Sequence, residues 1–68
     1  MAKPKVGEQT WNRIFHEQNV RIFESEEHEG FFYKVEVDGK RHKYFYGETA
    51  HMDTQRYASD NLRYSYVV

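Results

Sequence analysis

No cysteine occurs among the 68 residues, so neither a disulfide nor a thiolate zinc site can staple this short chain. Proline is limited to Pro4, and the glycines Gly7, Gly30, Gly39 and Gly47 stand apart, which excludes a glycine-rich phosphate loop. No run is long and apolar enough to predict a secretion signal or a membrane span, so a cytoplasmic, non-membrane protein is expected. A surplus of one charge is missing too. Ten Lys plus Arg against eleven Asp plus Glu leave a net charge of −1, so nucleic acid could be attracted only by a local basic patch.

What the chain has in quantity is aromatic residues, six tyrosines, five phenylalanines and Trp11, so stability is expected to come from these aromatics or from a partner. Their densest run is Phe31 to Tyr46, FFYKVEVDGKRHKYFY, where two strand-like segments flank Asp38-Gly39. Asp-Gly is a strong signal for a two-residue turn, because both central positions need positive φ. With Asp38 and Gly39 as the loop, the predicted pairs are Val37 with Lys40, Glu36 with Arg41, Val35 with His42, Lys34 with Lys43, Tyr33 with Tyr44, Phe32 with Phe45 and Phe31 with Tyr46. Alternation then gives a core face of Phe31, Tyr33, Val35, Val37, His42, Tyr44 and Tyr46. The outer face receives Phe32, Lys34, Glu36, Arg41, Lys43 and Phe45. On it Lys34 opposes Lys43, a repulsive pair that is either two solvated lysines or the seat of an anion such as a phosphate backbone.

The rest of the chain completes a small α+β domain. Residues 1–6 read as a flexible tail and residues 7–68 as a single domain. Trp11, Ile14 and Phe15 at i, i+3 and i+4 predict an N-terminal helix over Glu8 to Glu17, stopped by Asn19. Asn19 to Glu24 alternates as a strand, with Arg21 and Phe23 joining the outer face. Ser25 to Gly30, with glutamates at 24, 26, 27 and 29, reads as an exposed connection without a metal site. Gly47 breaks the hairpin's second strand, and Thr49 caps a C-terminal helix from Ala50 to Asn61 with Ala50, Thr54, Tyr57, Ala58 and Leu62 along one side. Alternation in residues 62–68 suggests a short fourth strand. The expected fold is therefore a three-stranded antiparallel sheet with a tight Asp-Gly hairpin between two helices.

Catalytic chemistry finds little support. Serines occur only at 25, 59 and 65, none in an elbow-like turn, and His16, His28, His42 and His51 are scattered over different elements. A non-enzyme without cofactor, metal or small-molecule substrate is expected. Residues 30–62 resemble the sheet-plus-helix pattern of AP2-type DNA-binding domains and of the arm-binding domains of tyrosine integrases. The similar residues are the turn with Gly39, Lys40 and Arg41, the aromatics Phe32 and Phe45, Ala50, and Arg56-Tyr57-Ala58 on the following helix. The resemblance implies that the sheet's outer face binds nucleic acid, with Arg21, Lys34, Arg41 and Lys43 on phosphates and base edges and Phe32 and Phe45 supporting them or stacking on bases. The alternative is a protein-binding inhibitor or accessory protein of phage or mobile-element type, occupying a larger host complex with its excess of aromatics. Either would act as a monomer or weak homodimer.

Overall fold

The computed structural model describes residues 4–62, and the expected strand at 62–68 falls almost wholly outside them. A 3-10 turn at Val6–Glu8 leads into four strands, β1 (Trp11–Glu17), β2 (Val20–Ser25), β3 (Phe32–Val37) and β4 (Arg41–Tyr46), followed by one helix, α1 (Ala50–Asn61). The strands form an antiparallel meander in the order β1-β2-β3-β4. The domain is α+β with a single C-terminal helix.

The N-terminal helix expected over Glu8 to Glu17 is instead β1, and the cause is a β-bulge. Arg13 pairs with Phe23 and Phe15 with Ile22, which leaves Ile14 as an extra residue. In a regular strand Trp11 and Phe15 would share a face; the bulge sends them to opposite faces. The resulting apolar spacing of i, i+3, i+4 imitates a helix. Gln18 at φ 51 then reverses the chain between Glu17 and Val20.

At the β3–β4 hairpin, Asp38 (φ 60) and Gly39 (φ 69) form the expected turn, and Lys40 N–H donates to the Val37 carbonyl at 3.2 Å. The ladder, however, opens one residue later than expected, with Val37 opposite Arg41, so Lys40 is left as an extra residue. A slip of one residue exchanges the two faces of a strand. Lys34 consequently opposes Tyr44, Lys43 opposes Val35, and Phe45 opposes Tyr33. His42, Tyr44 and Tyr46, expected in the core, lie on the outer face, and Phe31 is half exposed just before β3.

α1 covers one side of the sheet, chiefly over β3. Val20, Ile22, Tyr33, Val35 and Val37 are buried there against Ala50 and Ala58, with Phe15, Phe45, Tyr57 and Leu62 at the margins. Small alanines allow this close approach. Thr49 stands at the N-cap, but its hydroxyl donates to the Asp53 carboxylate at 3.0 Å rather than capping the backbone. Asn19, expected to end a helix, ties the far end of the domain together: its Nδ2 donates to Asp38 Oδ1 and to the Asn61 carbonyl, each at 3.0 Å.

The register has a direct spectroscopic consequence. Tyr44 lies 6.1 Å from Trp11 on the outer face, whereas Phe45 packs 5.6 Å from Tyr57 on the helix side. Tyr44→Ala is expected to shift the emission of Trp11, the sole tryptophan, while Phe45→Ala lowers stability and leaves that emission in place. The reverse pattern would restore the two-residue hairpin.

Candidate nucleic-acid interface

The face opposite α1 has no covering element among the described residues, so its composition follows from the register alone. β1 contributes Trp11, Arg13 and His16, β2 Arg21, Phe23 and Ser25, β3 Phe32, Lys34 and Glu36, and β4 His42, Tyr44 and Tyr46. At one end this face is aromatic. Phe32 is fully buried there, ringed by Trp11 at 5.1 Å, Tyr46 at 5.5 Å, His28 at 6.3 Å and Tyr44 at 6.5 Å between ring centroids. The Trp11, Tyr46 and His28 contacts are edge-to-face, the arrangement that ring quadrupoles favour. The surrounding rings stay partly open to solvent, and Tyr46 is 37% exposed.

In the middle of the face Lys34 sits between two rings, its Nζ 4.5 Å from the centroid of Phe23 and 5.2 Å from that of Trp11. Cation–π attraction holds the ammonium in place, and no carboxylate among the described residues forms an ion pair with it. Arg13, directly across from Phe23, is exposed. Further along, Arg21 Nη1 donates to Glu36 Oε1 at 2.7 Å, and His42 Nε2 lies 3.2 Å from Glu36 Oε2. Hydrogen bonding from Arg21, then from His42, holds the Glu36 carboxyl below the usual carboxylate range. Glu36 is the sole carboxylate contributed by the strands to this face.

The acidic connection has internal employment. Glu27 accepts from the Thr10 backbone at 2.8 Å and hydroxyl at 2.9 Å, and those bonds lower its pKa. Glu24 Oε2 accepts from Gly30 N–H at 2.9 Å. Ser25, fully buried, donates to Gln9 Oε1 at 2.5 Å and accepts from His28 N–H at 3.2 Å. The connection is thereby pinned to the start of β1, with His28 placed against Phe32. No group of His, Cys, Asp or Glu able to hold a metal ion occurs among the described residues.

Of the residues that the sequence nominated, Arg21, Lys34 and Phe32 share this face. Arg41, Lys43 and Phe45 do not, because the extra residue Lys40 turns them to the helix side. Arg41 lies there 4.0 Å from Asp38, and Phe45 belongs to the margin of the core. Phe32, with no exposed surface, supports other rings and has no face left to stack on a base. Trp11, Arg13, Tyr44 and Tyr46 complete the face and were not legible as part of it. The signals for them were the bulge at Ile14 and the extra residue at Lys40. Phe23 was placed correctly by its alternation with Ile22.

No protein-family model, curated protein or solved structure matches the chain. No helix among the described residues is long and apolar enough to cross a membrane.

Because Glu36 titrates lower folded than unfolded, its contribution to stability is complete above the unfolded carboxylate pKa and is lost as pH falls through the folded value. Denaturant unfolding is expected to show declining stability over about pH 5 to pH 3, with a shallower decline in Glu36→Gln. An identical decline in that variant would mean that Arg21 and His42 gain nothing from the ionised carboxylate.

Proposed function

We propose that the chain is a non-catalytic binding module that takes single-stranded nucleic acid on the open face of its sheet. The observation that carries this reading is the juxtaposition of Arg13, Arg21 and Lys34 with the partly exposed rings of Trp11, Phe23, Tyr44 and Tyr46, while Glu36 is already engaged. Phosphates would meet the three cations, and unpaired bases would stack on the rings, a combination that gives affinity with little sequence preference.

A single strand is favoured over a duplex on two grounds. The hairpin has lost Arg41 and Lys43 from this face, which removes half of the four cations that a groove-bound sheet would use. The clustered rings, in turn, need bases freed from pairing. The paired helix would cover them without stacking. The acidic residues 24–29 bound the face at its aromatic end and would direct the phosphates toward Arg13, Lys34 and Arg21.

Fluorescence titration of Trp11 with a mixed-sequence single strand tests the proposal. With three phosphate contacts, affinity is expected to fall about 18-fold between about 50 and 200 mM salt, from a slope near −0.7 per contact. Lys34→Ala should weaken binding and make that slope shallower by about 0.7, whereas Lys43→Ala should leave both unchanged. Tighter binding to duplex would reassign the ligand. Absence of binding at the lower salt would overturn the reading and leave a protein partner for the same aromatic face.

A further inference from the structure

The register sorts the open face into cross-strand rows. Trp11, Phe32 and Tyr46 form an aromatic row at one end, and Arg13, Phe23, Lys34 and Tyr44 form a mixed row beside it. The third row, nearest the two turns, reads His16, Arg21, Glu36 and His42 from one edge of the sheet to the other. Each member lies directly opposite the next. His16 and His42 are both exposed, so the row begins and ends with an imidazole open to solvent.

With neutral imidazoles this row is electrically balanced, since Glu36 lies 2.7 Å from Arg21 and offsets its charge. Histidine is the side chain that gains its charge between about pH 8 and about pH 5. Charging His42, 3.2 Å from Glu36 Oε2, gives the carboxylate a second cation and leaves the row with a surplus. Charging His16 sets a cation opposite Arg21, a repulsive pair that an anion between them relieves. The other groups facing His42 are Lys34 and Tyr44, one row along, and the other group facing His16 is Arg13. Glu17, Arg41 and Lys43 point to the helix side, Asp38 lies in the adjoining turn 4.0 Å from Arg41, and α1 covers the opposite side of the sheet. Glu36, held below the usual carboxylate range by hydrogen bonds from Arg21 and then His42, stays ionised over this interval. The row thus passes from no net charge to two positive charges.

We propose that proton uptake by His16 and His42 gates the open face, so that it holds the phosphates of a single strand weakly in mildly alkaline solution and firmly in mildly acidic solution. This rests on the open-face reading and adds its regulation. The new contacts fall in the row of His16, Arg21 and His42, while the rings at the other end carry the bases at either pH. His28 is not assigned to the gate, because its Nδ1 lies 3.1 Å from Gln9 Oε1 and its ring packs edge-on against Phe32 and Tyr46. His51 packs against Tyr33 on the helix side and lies outside the site.

The test uses the full chain and a dye-labelled, thymine-only single strand, whose bases do not titrate in this range, followed by fluorescence anisotropy. At about 50 mM salt, two added phosphate contacts are expected to tighten binding at least about tenfold between about pH 8 and about pH 5.5, and to steepen the salt slope by about 1.4. His16→Gln and His42→Gln should each remove about half of that steepening. Together they should abolish the pH response, and their exposed positions let the double variant fold. His51→Gln should leave the response intact. Equal affinity at the two pH values in the parent chain would overturn the gate and leave the open-face reading standing. A response that persists in the double variant would overturn the assignment and pass it to His28. Absence of binding at both pH values would overturn the gate together with the reading beneath it.

Discussion

One helix of twelve residues cannot cover a four-stranded sheet. An α-helix is about 10 Å across, whereas four strands at about 4.8 Å spacing span nearly twice that, and no helix covers two faces at once. The rest of the architecture responds to this shortage of cover. Where α1 lies, the sheet presents Val20, Val35 and Val37, each with at most 1% of its surface exposed. Where α1 does not reach, the chain must shield the sheet with its own side chains or leave it to something else. The open face, where binding is proposed, is such a place among the described residues.

On the open face the substitute for a second layer is aromatic. Phe32 is as deeply buried as the valines beneath the helix, yet its cover is Trp11, Tyr44, Tyr46 and His28 rather than another element of secondary structure. Two of these four are held from outside the sheet: Trp11 Nε1 donates to the Val6 carbonyl at 3.3 Å, and His28 Nδ1 lies 3.1 Å from Gln9 Oε1. The residues before β1 and the acidic connection thus brace the aromatic cluster. A rigid ring platform with cations beside it follows from the same packing that keeps the sheet dry on that side. Stability and the proposed binding would therefore rest on shared residues.

Legibility in the sequence divided along physical lines. α1 was read with its bounds and its buried stripe, because helical periodicity is local and Gly47 and Thr49 mark its start. β2 and β3 were read nearly as they stand, since alternation over six residues is a local signal too. The helix expected where β1 lies and the face assignment of β4 failed for one shared reason. Each strand carries one residue beyond a regular ladder, Ile14 in one and Lys40 in the other, and a single insertion inverts every side chain beyond it. Arg21, Lys34 and Phe23 were placed on the outer face because β2 and β3 contain no such irregularity.

The bulge at Ile14 also bears on how the sheet ends. Among the described residues β1 and β4 are its two edges, and an edge with a regular row of free N–H and C=O groups invites another chain to add a strand. The bulge breaks that row in β1, and its neighbours Arg13, His16 and Glu17 add charge or polarity along the same edge. β4 achieves a similar end by composition, opening with Arg41, His42 and Lys43. Growth of the sheet by edge-to-edge stacking is opposed at both sides, so an aromatic-rich domain of this size can keep its rings available without offering itself as a template for fibrils.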